Sequence, residues 1–152
     1  MRKLLLTGLL LGGACTTRTV EAPVPAPAPV TTAPVSVGPR AAIDAFLAAI
    51  KAGDLQALSL AWGDRDGAIR DSKVLSREDV EKREVILTRC FKHDRYRVLS
   101  EQAAVDNERV FQVELTRGTL TRVSDFFTAH GADRWYVRSA DMAAVKDLCA
   151  AK

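Results

Sequence analysis

The residue types that could do chemistry in this chain are few and scattered. His93 stands beside Asp94. Such a pair can act as a general base and its orienting carboxylate. The alternative is a solvated helix end, where His suits the negative pole. Asp125 shares strand parity with Val123 and Phe127. If those two face an apolar interior, desolvation raises the carboxyl pKa and prepares a base. If Leu120, Ser124 and Phe126 face inward instead, Asp125 stands in water. Phe126 and Phe127 demand opposite faces, so the alternation leaves both readings open. Asp64, inside Gly63-Asp64-Arg65-Asp66-Gly67, is a third candidate acid. His130 beside Gly131 reads as an exposed turn. Two Cys and two His at these separations match no zinc spacing. No glycine-rich phosphate loop and no Ser-His-Asp set can be assembled. The sequence therefore implies no metal and no cofactor, and it fixes no reaction.

The thiol of Cys15 carries more information. It ends Leu9-Leu10-Leu11-Gly12-Gly13-Ala14-Cys15, behind Met1-Arg2-Lys3. A basic start, a short apolar stretch and a small residue before the next position describe a secretory signal. A cysteine directly after the small residue resembles a bacterial lipobox, the mark of a lipoprotein. That resemblance implies a diacylglyceryl thioether on Cys15, cleavage after Ala14, acylation (palmitate-type) of the new amine and anchoring to a membrane of the cell envelope. Thr16, where Asp would signal retention, favours the outer over the inner membrane. The alternatives are an ordinary signal peptide with a free Cys15 thiol, or a membrane span. A span needs about 20 apolar residues, and this run ends early. Cys90 and Cys149 then remain. In an oxidising envelope compartment they form a natural pair, the alternative being two separate buried thiols.

The chain carries 22 Lys+Arg against 19 Asp+Glu, a formal charge of +3. Loss of Arg2 and Lys3 with the signal would leave it close to neutral. A nearly neutral protein has no electrostatic footprint for nucleic acid and no polybasic block for anionic lipid. Its expected hold on the membrane is covalent.

All six prolines fall between Pro23 and Pro39. Alternating Ala-Pro and Val-Pro favour extended polyproline II and cannot build a core. Three segments follow: residues 1–14 as signal peptide, 15–39 as the lipidated Cys and a tether reaching about 70 Å when extended, and 40–152 as one domain able to bury a single core.

The domain must supply the elements that position these groups. Ala42, Ile43, Phe46, Leu47 and Ile50 form one helical stripe, which Gly53 stops. Asp54 caps a second helix carrying Leu55, Leu58, Ala61 and Trp62, with Gly63–Gly67 as a loop. Ser76 and Asp79 open a third helix in the manner of a capping box, with Val80, Ile86, Leu87, Cys90 and Phe91 inward. Asp79 and Arg83 are spaced for a surface ion pair. After His93 the period turns to alternation, predicting strands near 95–105, 110–116, 119–128 and 134–138. Ser139 or Asp141 then caps a last helix with Met142, Val145 and Leu148 inward. Arg95, Arg97, Arg117, Arg122 and Arg138 are expected on the open face or edges of the sheet. Of Trp135 and Tyr136, one belongs to the core and one to the surface.

Helices followed by a meander of strands predict an α+β fold, with helices packed on one face of a curved, mainly antiparallel sheet of four or more strands. The stretches A-A-I-D-A-F-L-A-A-I-K-A-G-D-L-Q-A-L, R-V-F-Q-V-E-L-T-R-G-T-L-T and R-W-Y-V-R-S resemble the NTF2-like (SnoaL-like) superfamily over most of Arg40 to Ser139. The final helix is an addition to that pattern. The resemblance implies a cone with an apolar pocket between sheet and helices, for whose wall Trp62, Phe91, Tyr96, Phe127 and Trp135 are candidates. It implies a binding or assembly module for a small apolar ligand or an envelope protein, open to homodimerisation through the sheet. It also admits an enzyme of SnoaL type, an isomerase or hydrolase with Asp125 as base, aided by Asp64 or His93. Fold does not choose between these.

Overall fold

The computed structural model describes residues 37–150. The expectations for the signal, Cys15 and nearly all of the tether lie outside the described residues. The first helix, α1 (Pro39–Ala52), starts with proline at its first position, where the missing N–H costs nothing. Its predicted stripe of Ala42, Ile43, Phe46, Leu47 and Ile50 is buried. Gly53 closes it at φ 70°, and the N–H groups of Gly53 and Asp54 reach the carbonyls of Ile50 and Ala49. This left-handed cap is open to glycine at little steric cost. Asp54 then accepts the Ala57 N–H at 2.9 Å and opens α2 (Leu55–Ala61).

The segment expected as a loop after Trp62 is instead a minimal hairpin, β1 (Gly63–Asp64) paired with β2 (Gly67–Ala68). Gly63 is required by packing. A Cβ there would meet the Gly67 carbonyl oxygen, and the Tyr136 ring at 2.9 Å. A 3₁₀ turn, Ile69–Asp71, leads on to α3 (Arg77–Cys90). Ser76 caps α3 by accepting the Asp79 N–H at 3.1 Å and donates its hydroxyl to the Asp79 carboxylate at 2.7 Å. That engagement takes Asp79 away from the expected partner Arg83. The surface pairs that form are Arg77–Glu81 and Glu78–Lys82. The inward face of α3 also differs from the expected one. Ile86 is 48% exposed, whereas Glu84 is buried beside Val80, Leu87 and Cys90.

Four strands follow as one antiparallel sheet in the order β3 (Arg95–Ala103), β4 (Arg109–Arg117), β5 (Leu120–His130), β6 (Trp135–Ala140). The β3–β4 turn passes through Asp106 and Asn107, both at positive φ, a conformation short polar side chains tolerate. Register pairs Phe111 with Phe126 and Val113 with Ser124. Phe111, Val113, Leu115, Ser124, Phe126 and Thr128 therefore share the buried face, on which the helices lie. Phe126 sits edge-on to Phe46 of α1 and to Phe91 at the end of α3. The fold is thus α+β, with helices packed on one face of a four-stranded antiparallel sheet. A parallel bridge from Trp62 to Val137 brings the β1 segment alongside β6.

Past Ala140, Asp141 accepts the Ala143 N–H at 2.9 Å. A 3₁₀ turn (Ala143–Val145) then leads into α4 (Lys146–Ala150), burying Val145 and Leu148. A helix this short cannot hold itself. The Cys90–Cys149 disulfide ties it to α3. Arg89 donates to the Cys149 carbonyl at 2.9 Å, Arg117 donates to the Leu148 carbonyl at 2.8 Å, and Arg122 pairs with Asp147 at 2.6 Å. Two of the arginines expected to decorate the sheet, Arg117 and Arg122, are thus fasteners for the last helix.

Candidate functional site

The structure separates the three sequence-predicted acid–base candidates. Asp125 pairs with Gln112, and its side chain lies on the face opposite Ser124 and Phe126, away from the helices. It shares that face with Val123, which is 42% exposed, and with Phe127. Of the two readings left open for this strand, the one with Ser124 and Phe126 inward is adopted, because the paired Phe111–Phe126 contact commits that parity to the core. Asp64 is exposed at the hairpin, where its carboxylate accepts the Asp66 N–H at 2.9 Å.

His93 departs from the solvated helix end expected of it and is 4% exposed. Its Nδ1 lies 2.9 Å from the Phe91 carbonyl oxygen and must donate to it. The neutral ring then presents Nε2 as an acceptor, which is buried without a partner. Asp94 does not orient this ring; its carboxylate accepts the Gly118 N–H at 2.7 Å. The His93 pKa is lowered, first by burial, with Lys51 adding to the effect against the opposing Phe91 bond and Asp94. Tyr96 packs edge-on to His93 and donates to Asp44 at 2.8 Å. Burial, then the Asp44 bond, push its hydroxyl up to about 12. Asp44 also meets Arg40 at 3.0 Å. These groups tie α1 to β3.

The expected pocket-lining aromatics also divide. Phe91 is fully buried core, and Phe127 is on the outer face under the Arg138 guanidinium, 5.7 Å from its centroid. Half-buried Trp135 stacks edge-on with His130, and its neighbour Tyr136 is 5% exposed, the core partner of the two. Tyr96 is half-buried. Tyr96 borders a depression shared with Arg95, Arg97, Glu114 and Thr116, and Trp62 lines an apolar groove. That groove has a volume of about 330 Å³ and runs between α3 and β6. Phe46, Leu87 and Val137 line it from the core, and Trp62, Ile86 and Met142 form much of the remaining wall. Trp62 is fixed there by its indole N–H, which reaches the Arg138 carbonyl at 3.3 Å. Arg138 is in turn held by Glu108 at 3.0 Å.

A second cavity, of about 340 Å³, opens on a different flank of α3, against α2 and the Ile69–Asp71 turn. Gln56, Ser59, Arg70, Asp71, Glu81 and Glu84 are among its lining residues. Glu84 is 3% exposed, and its Oε1 has no partner. Burial, and secondarily the Glu81 charge, raise its pKa to about 7. One helical turn on, the buried Thr88 hydroxyl is likewise unpartnered. Glu84 is not among the sequence-predicted site residues, although its spacing from Val80 and Leu87 puts it on the inward stripe of α3. Among the described residues, no group of three or more His, Cys, Asp or Glu is arranged to hold a metal. No helix among them is long and apolar enough to cross a membrane.

Compared with known proteins, the chain matches no family model, no curated protein and no solved structure.

Proposed function

We propose that this is a lipid-anchored lipoprotein of the bacterial cell envelope, carrying an NTF2-like domain that binds a small apolar ligand without catalysing a reaction. The observation that carries the binding role is the groove between α3 and β6. It is apolar at its floor, and it holds the 48% exposed Ile86 on its wall. Leaving a large aliphatic side chain half in water forgoes part of its burial energy, which an apolar ligand seated there restores. The NTF2-like reading is supported by the element order, with helices ahead of the meander and the β1–β2 hairpin reaching the β6 edge through Trp62–Val137. The anchoring role rests on Cys15 within its lipobox-like run and on the Pro-rich stretch after it. The outer sheet face, with Val123 and Phe127 on it, is where a second copy of the chain would dock.

The non-enzymatic reading is favoured by geometry. Acid–base work needs ionisable groups converging in one apolar pocket. Asp125, His93 and Asp64 lie on the outer sheet face, in the core and at the exposed hairpin, and none of them lines the groove. The test is a fluorescence titration of the full chain with the apolar dye 1-N-phenylnaphthylamine. Saturable binding is expected, abolished in Ile86→Glu and unchanged in Asp125→Asn. Absence of binding, or binding indifferent to Ile86→Glu, refutes the groove. Mass analysis of the N-terminal peptide from bacterial cells tests the anchor separately. Acylated Cys15 at the new terminus is expected, and a free Cys15 thiol rejects it.

A further inference from the structure

The cavity beside α2 is lined by two exposed ion pairs and by one carboxyl that belongs to neither. Arg77 meets Glu81 at 2.9 Å, and Arg70 meets Asp71 at 3.7 Å. Both are exposed surface pairs of neighbours on the same segment, and such pairs contribute little. Glu84 is the remaining ionisable group of the lining. Its Oε1 is shut away from solvent and has no hydrogen-bond partner among the described residues. Ser59 is no donor to it, since its hydroxyl is given to the Gln56 carbonyl at 3.0 Å.

A carboxyl in this setting has two ways to be comfortable. It can stay protonated, or it can ionise against a cation brought to it from outside. A buried carboxylate without a counter-charge is costly. A neutral donor would leave most of that cost in place, whereas a charge-assisted N–H bond offsets it. The cavity, at about 340 Å³, has room for a small molecule. Among the described residues no group of three or more His, Cys, Asp or Glu is arranged here to hold a metal ion.

We propose that this cavity is a binding site for a small organic ammonium ion, with the Glu84 carboxylate as its counterion. The bound cation holds Glu84 ionised, so its entry expels the carboxyl proton. With Glu84 titrating near 7, about half a proton leaves per cation bound at neutral pH. The site is separate from the apolar groove, so either can fail without the other.

Isothermal titration calorimetry on the full chain tests this, with ethanolamine and 1,4-diaminobutane as probes and propanol as the uncharged comparator. Runs at pH 7 in two buffers of different ionisation enthalpy read the proton count. We expect one amine to bind per chain, with proton release, and propanol not to bind. Glu84→Gln keeps the shape and removes the charge, and should weaken amine binding about tenfold or more, with an unchanged circular dichroism spectrum. Ile86→Glu should leave amine binding as it was. No binding of either amine, binding without proton release in the unaltered protein, or equal binding by Glu84→Gln each overturns the proposal.

Discussion

Replacing Glu84 with Gln removes an ionisable group while keeping its volume, and the consequence should depend on pH in a definite direction. The Glu84 pKa is raised from 4.5 in the unfolded chain to about 7 in the fold. Between those values the folded protein holds a proton that the unfolded chain has released. Stability therefore falls as pH rises through this window, and the full cost is present above about 7. A shift of that size corresponds to about 3 kcal/mol at pH 8 and less than about 1 kcal/mol at pH 5. The Glu84→Gln protein should accordingly gain about 3 kcal/mol over the parent at pH 8 and little at pH 5. Urea unfolding followed by circular dichroism, with the disulfide intact, measures the difference at each pH. Comparing the two proteins at each pH cancels every other titrating group. An equal difference at pH 5 and pH 8 would refute the argument. It would mean that the carboxyl reaches water or a donor and is not held neutral by burial.

The disulfide and the buried histidine give further measurable outcomes. Reducing the Cys90–Cys149 bridge, whose partners are 59 residues apart, should lower stability by up to about 4 kcal/mol, read as a drop in thermal midpoint. In the oxidised, unfolded protein neither cysteine should react with a thiol label until reductant is added. The His93 imidazole should titrate below its usual 6.5, followed by proton NMR of the ring. The unfolded chain takes up this proton at higher pH than the fold does, so stability is lost as pH falls below 6.5; His93→Gln should flatten that loss, and a ring titrating at or above 6.5 would contradict the burial.

Much of the architecture was legible because it is repeated along the chain. Ala42, Ile43, Phe46, Leu47 and Ile50 declare a helix by spacing alone, and all five are buried. Asp54 and Ser76 cap helices because a short polar side chain satisfies N–H groups two or three residues ahead. Alternation predicts the strand near 110–116, and pairing with β5 under the helices makes Phe111, Val113 and Leu115 its inner face. Where the reading failed, the missing information lay in other segments. Phe126 and Phe127 are locally equivalent, and only pairing with Phe111 and contact with Phe46 and Phe91 choose between them. That choice sends Asp125 outward. His93 looks like a helix end in solvent until Tyr96 closes over it.

The sequence by itself determined the class of fold, the helix caps, the turn positions and the composition of the proline-rich stretch, because these depend on residues within a few positions of one another. It also presented Cys90 and Cys149 as partners, since few other thiols compete. Tertiary structure decided which acid is the unusual one. Glu84 resembles any other glutamate on a charged helix, and only the approach of α2 and the Ile69–Asp71 turn takes its carboxyl out of water. The same holds for the groove, which exists because Trp62, Ile86 and Met142 come from three separate segments. Desolvation is a property of what surrounds a group, and a chain meets its surroundings only when folded.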